Sequence, residues 1–235
     1  KNVATDEQSA VAVIMVKRVP IAAAEVTTKC GKPLARTEEL LEELALRGVI
    51  EYNWENEDHH KQYVLPMFVP GSAEYMNMNL DTVTAHPEVA TMFERMSRLP
   101  LEKITPMVPP GGAGIGMHVV PVEKAIPSEQ KSVDLEHLSH WLDKYDGKYA
   151  VGACSCRRSR RLRGEGCGHL EEDMCIAVGD MATYAIETNK ARPATREEVM
   201  EILQRAEDNG FVHQITNIDG KDKILGICNC CVCSC

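Results

Sequence analysis

A chain of 235 residues with 44% hydrophobic content is long enough to bury a core, as one large domain or two small ones. Lys+Arg 26 against Asp+Glu 35 gives a formal net charge of −9, which argues against general affinity for nucleic acid or for an anionic membrane surface. No apolar run approaches the ~20 residues of a membrane-spanning helix, and no secretory signal opens the chain, so a cytoplasmic location is expected.

Residues 8–70 carry three helix signals and then a hairpin. The first helix is expected over residues 8–17, closed by Pro20, and a second over 21–29, ended by Gly31. The third, over 37–47, places Leu40, Leu41, Leu44 and Leu46 on its buried side, with Gly48 where a helix C-terminus wants a left-handed residue. Strands over 49–54 and 62–68 flank the polar turn 55–61, which completes a winged-helix order. Glu38, Glu39, Glu42 and Glu43 make the third helix acidic, so it would repel DNA phosphates, and a structural or protein-contacting role is the simpler reading.

Nine of the twelve prolines lie between Pro66 and Pro127, which marks residues 71–133 as a connector in which regular structure is intermittent. One helix is expected there, from Pro87 to Arg98, with Val89, Met92, Phe93 and Met96 on one face, followed by a strand over 116–120. Gly111, Gly112, Gly114 and Gly116 lack the Walker or dinucleotide spacing, so a plain flexible loop outweighs a nucleotide site.

Residues 134–235 form the third segment. Asp134 is expected to cap a helix through Tyr145, with Leu135, Leu138, Trp141, Leu142 and Tyr145 spaced for burial and His137 and His140 as surface or packing residues. A helix over 171–188 is expected to carry Cys175 near its start. Thr195 and Glu198 form a capping box for a helix ended by Gly210, and a hairpin follows over 211–218 and 223–227. Helix, glycine and hairpin repeat the N-terminal order, so a second winged-helix-like unit is expected, its last strand running into Cys228. The fold class is thus α+β.

Nine of the ten cysteines lie between Cys154 and Cys235. A chain with a full core and no export signal does not need a disulfide framework, so metal ligation is favoured. The thiols fall into two sequence groups, Cys154, Cys156, Cys167 and Cys175, then Cys228, Cys230, Cys231, Cys233 and Cys235. Each suffices for a four-coordinate site. One or two [4Fe–4S] clusters are expected, with Cys154 and Cys156 on an extended segment, Cys167 in a Gly-rich loop and the dipole of the 171–188 helix favouring cluster charge near Cys175. Zinc is the rival, since Cys-x-Cys pairs also build tetrahedral sites at Zn–S ~2.3 Å. Nine thiols are one more than two all-cysteine cubanes need, and on an extended tail Cys231 faces away from its neighbours, so Cys231 is the expected spare. A turn at Asn229 or Val232 would undo that assignment.

Between Cys156 and Cys167 lie five arginines in seven positions. Arg157, Arg158, Arg160 and Arg161 are candidates to offset cluster charge, to dock an acidic partner or to hold a flavin or nucleotide phosphate, with a solvated basic loop as the plain alternative.

The segments Cys154-Ser155-Cys156-Arg157, Asn209-Gly210-Phe211-Val212-His213-Gln214 and Ile227-Cys228-Asn229-Cys230, with Cys167 and Cys175, resemble the N-terminal iron–sulfur region of large FAD-dependent pyridine-nucleotide oxidoreductases of anaerobic bacteria. The stretches Val49 to Trp54 and Pro109 to Gly114 resemble the same group. In such proteins ferredoxin-type motifs and a flavin domain related to the glutamate synthase small subunit follow. The resemblance implies an electron-transfer module, with FAD and NAD(P)H held on missing sequence or on a partner chain, and the start on Lys1 and the end on Cys235 fit a fragment. Its expected partners are flavin or ferredoxin domains or subunits of a redox complex, with neither nucleic acid nor membrane among them. Two other readings stay open: a zinc-stabilised protein-interaction module, and an iron–sulfur winged-helix transcriptional sensor.

Overall fold

The computed structural model describes residues 3–99, 117–120, 137–220 and 222–234. It is a mixed helix-and-sheet fold built on one six-stranded antiparallel sheet. Asp134, Leu135, the Gly111–Gly116 stretch and Cys235 lie outside the described residues.

The N-terminal part is α1 (Asp6–Ala12), α2 (Ala23–Cys30), α3 (Leu34–Leu46) and the hairpin β1 (Glu51–Asn53) and β2 (Gln62–Val64). The first helix stops at Ala12 instead of Lys17 because the chain is drawn off to the hairpin, where Lys17 bridges Leu65 and Ile21 bridges Tyr63. Arg18, at positive φ, then reaches a buried ion pair with Glu51 and a second with Asp219. Gly48 has φ +82°, and a Cβ there would lie 2.6 Å from the backbone of Tyr75 and Met76, so both conformation and close approach demand glycine. Those contacts come from the supposed connector, whose described residues contain three helices where one was expected: α4 (Ala73–Met78), α5 (Leu80–Ala85) and α6 (Glu88–Ser97). Asn79 caps α5 by accepting from Thr82 N–H, and Met92 is half exposed, so α6 buries Val89, Ala90, Phe93 and Glu94 instead.

The C-terminal part supplies β3 (His118–Val120), α7 (Leu138–Lys144), β4 (Tyr149–Gly152), α8 (Ser155–Leu162), β5 (Cys175–Val178), α9 (Asp180–Glu187), β6 (Arg192–Ala194), α10 (Arg196–Asp208), β7 (Val212–Ile215) and β8 (Gly226–Cys230). Strand order is β3-β7-β8-β5-β4-β6. Thr195 Oγ1 accepts from Glu198 N–H at the start of α10, and Gly210 beyond its end has φ +69°. The expected hairpin forms as β7 and β8, but as the middle of the sheet.

The expected helix over 171–188 is two elements. Cys175 to Val178 is a strand between β4 and β8, and Gly179, at φ +61°, separates it from α9. A buried antiparallel strand explains the unbroken apolar run, which periodicity could not tell from a helix. Alternation then divides the core. Tyr149, Val151, Ile176, Val178 and Ile227 pack with Trp141, Leu142, Ile202 and Leu203 of α7 and α10. Ala150 and Ala177, on the other face, pack with Met181 and Tyr184 of α9 and with Val26, Leu40, Leu44 and Ile50, so N- and C-terminal residues share one core.

Lys190 locks this second layer. Its amine donates to Ala45 O (2.9 Å) and Leu46 O (3.0 Å) at the end of α3, carbonyls it shares with Tyr184 and Asn79, and lies over the Tyr184 ring. Burial pulls its pKa from 10.5 down to about 7. Lys190→Met is expected to cost about 1–3 kcal/mol in urea unfolding by removing its charge-assisted hydrogen bonds to the end of α3. The unfolded amine holds its proton to 10.5 and the folded one to about 7, so stability rises with pH across that window; the Met variant should lose this rise.

Candidate functional site

The cysteines gather at the end of the sheet where β4 leaves and β5 begins. Gly152 pairs with Cys175, which pairs with Cys228. Directly opposed residues in an antiparallel ladder share a face, and so do residues two apart, so Cys175, Cys228 and Cys230 lie on the Ala177 face. Cys228 hydrogen-bonds with Cys175 and Cys230, and these neighbours together with burial push its thiol well above its ordinary pKa. Gly152 is pressed against the Lys190 carbonyl, 2.6 Å from where a Cβ would stand, and this fixes the exit of β4 toward Cys154.

Cys154 and Cys156 are not on an extended segment. Cys154 is the N-cap residue of α8 and Cys156 lies in its first turn. The Cys154 N–H donates to Glu171 O at 2.8 Å. A hydrogen bond with Cys156, opposed by burial and helped by the Arg157 charge and the N–H groups of Arg157 and Cys156, holds the Cys154 thiol down at about 7. The helix terminus near these thiols is therefore that of α8, whereas Cys175 opens a strand.

The arginine run is helical too. Arg158 pairs with Glu171 (3.1 Å) and donates to Asn77 O and Met78 O; Arg161 pairs with Glu171 (2.8 Å), and Arg160 approaches Glu94 at 3.6 Å. These three are thus answered by the protein's own carboxylates. Arg157 differs. It is 3% exposed, donates from Nη1 to Asn229 O at 3.0 Å and stacks on Phe211 at 4.6 Å, while its Nε and Nη2 are buried with no hydrogen-bond partner. Burial opposes its charge, but the facing thiols of Cys154, Cys231 and Cys230 raise its pKa.

A second group is more tightly drawn together. Cys167, His169, Cys231 and Cys233 present donor atoms that all lie within 4.8 Å of one another. Cys167 Sγ is 3.9 Å from Cys231 Sγ, and Cys233 Sγ is 3.8 Å from His169 Nδ1. Strand β8 ends at Cys230, and Ser234 N–H turns back to Cys231 O. The alternation of β8 turns Cys231 away from Cys228 and Cys230, and the turn beyond it brings Cys233 back to it: Cys231 is 2% exposed and sits inside this group. Burial opposes ionisation of its thiol, but hydrogen bonds with His169, Ser234 and Cys167 and the facing Arg157 bring it down to about 6. Cys167 thus pairs with the tail and not with Cys154 and Cys175. His169 was not among the sequence candidates, although Cys167-Gly168-His169 has the alternate spacing of a ligand pair.

No disulfide links the described cysteines. No described helix is long and apolar enough to cross a membrane. No protein-family model, curated protein or solved structure matches the chain.

The segment between the two groups is held by a buried relay. Asn229 Nδ2 donates to Met174 O, and Asn229 Oδ1 meets His213 Nδ1 at 2.7 Å; His213 is fully buried and its Nε2 lies 3.4 Å from Glu207. Asn229→Ala is expected to cost about 1–3 kcal/mol in urea unfolding under reducing conditions, since His213 loses its partner. Adding His213→Leu should recover part of that loss, because both polar groups then go together.

Proposed function

We propose that the chain is an electron-transfer module in which four of the thiols Cys154, Cys156, Cys175, Cys228 and Cys230 hold one [4Fe–4S] cluster. The observation that carries this reading is the arrival of five thiols from three separate segments at one end of the sheet. A cubane binds each thiolate to a different iron, so it suits ligands spread around a compact space better than ligands already packed together. When bound, the cluster would supply a one-electron carrier. The chain's own part is to hold the thiols at the sheet end and at the N-terminus of α8, and to set the buried Arg157 charge beside them.

Such a module needs an electron source and an acceptor, and the resemblance supplies the proposal for them: a flavin and NAD(P)H on further sequence or on a partner chain. A reducing compartment such as the cytoplasm would keep the thiols ready for metal. The three helices and hairpin are read as a winged helix that contacts protein and not duplex DNA, because Glu38, Glu39, Glu42 and Glu43 on α3 are all exposed. The zinc-stabilised alternative keeps one specific support, the close Cys/His group.

Anaerobic reconstitution is expected to give a brown protein with about four iron and four acid-labile sulfide per chain. Cys228→Ser should lose most of both, and Cys30→Ser neither. A colourless protein that binds only zinc would refute the proposal. A sequence-specific footprint on duplex DNA at physiological salt would overturn the reading of the winged helix.

A further inference from the structure

We propose that Cys167, His169, Cys231 and Cys233 form a separate closed site for a single tetrahedral metal ion of the zinc class, distinct from the cluster at the sheet end and independent of it. Bond lengths of about 2.0–2.3 Å to nitrogen and sulfur put the donors of a tetrahedral zinc site roughly 3.3–3.8 Å apart. The Cys167–Cys231 and Cys233–His169 separations of 3.9 and 3.8 Å are already close to that spacing, and all four donors lie within 4.8 Å of one another. A cubane would have to force these same atoms apart. Three thiolates and one imidazole also make a donor set of the structural zinc sites, and with four protein ligands no position stays open for substrate.

Charge gives an independent argument. Three thiolates around a dication leave one net negative charge, part of it on Cys231, which is almost fully buried. Arg157 supplies a cation: it is buried, faces Cys231 as well as Cys154 and Cys230, and its Nε and Nη2 have no hydrogen-bond partner. A buried guanidinium without a carboxylate is costly unless other negative charge faces it. Ser234 Oγ, 3.5 Å from Cys167 Sγ, offers that sulfur a further donor.

The two halves of the site come from different places. Cys167 and His169 belong to the loop after α8, while Cys231 and Cys233 follow β8 directly. An ion here would tie the tail to that loop and fix the end of β8 at Cys230, two residues beyond Cys228. Its role is structural.

The test measures metal by site in the full chain purified under reducing, anaerobic conditions. The wild type should hold one zinc per chain, and Cys231→Ser and Cys233→Ser should lose it while iron and sulfide are largely kept. Cys228→Ser should lose iron and keep zinc. Because Cys231 is buried and its substitution can unfold the tail, Co(II) is titrated into the metal-free chain and into the variants at the exposed residues Cys233 and His169. Intense visible bands of tetrahedral cobalt–thiolate, abolished by zinc in slight excess, are expected for the wild type, weakened in Cys233→Ser, and retained with a red shift in His169→Cys. The inference fails if Cys233→Ser leaves zinc content and cobalt spectrum unchanged. It fails equally if Cys233→Ser removes as much iron as Cys228→Ser, which would assign the tail thiols to a cluster.

Discussion

The pleat of β8 governs the chemistry of this protein. Cys228 and Cys230 point to the face shared with Cys175, while Asn229 between them, and Cys231 beyond, point to the face of α7 and α10. A tail that reads as a continuous thiol cluster is thereby split into two environments by a period of two. One register fixes both groups, because the same ladder that opposes Cys228 to Cys175 delivers Cys231 to Cys167. Slippage by one residue would exchange them.

The surroundings of β8 hold that register from both sides. Asn229 is bonded to Met174 and His213, so the strand cannot slide without unpairing buried polar groups. Behind the sheet, α9 and Lys190 connect its second face to α3, and Arg18 ties the hairpin turn at Asp219 back to Glu51. The N-terminal helices therefore act on the thiol region through a shared core and a few buried charges, with no thiol of their own in it. On the other flank, α8 carries a run of arginines that would be a basic surface in isolation. Glu171 and Glu94 absorb most of its charge, which leaves the buried Arg157 as the cation committed to sulfur.

Local signals were legible where one residue decides an element. The Thr195 cap, the glycines at 48 and 210 and Leu40, Leu41 and Leu44 of α3 stand as their chemistry demands, whereas Leu46, expected on the buried side, is exposed at the end of the helix. The thiol grouping was not legible, since sequence proximity joined Cys167 to Cys175 whereas strand register joins it to Cys231, 64 residues away. Cys-Ile-Ala-Val read as helix because a fully buried strand has no alternation to show, and only Gly179 marks the break. The arginine run read as charge available to a cluster, a partner or a phosphate because the carboxylates that pair with it, Glu94 and Glu171, are supplied by other segments. Helices α4 and α5 were hidden in a proline-rich region, although Pro70 and Pro87 flank the pair and do not interrupt it.

The edges of the sheet are unequal. At one side β6 is a three-residue strand with Pro193 at its centre, and Arg192 is clamped between Asp173 and Glu198. Proline brings no N–H to a ladder and charge on an edge repels an incoming chain, so β6 is a poor template for a visiting strand. At the far side β3 ends the sheet, and its Val119 is exposed. A partner that joined this protein by extending its sheet would thus meet a blunted border on the β6 flank. Among the described residues the opposite edge strand is β3, from which backbone pairing would reach the thiol strand β8 through β7 alone.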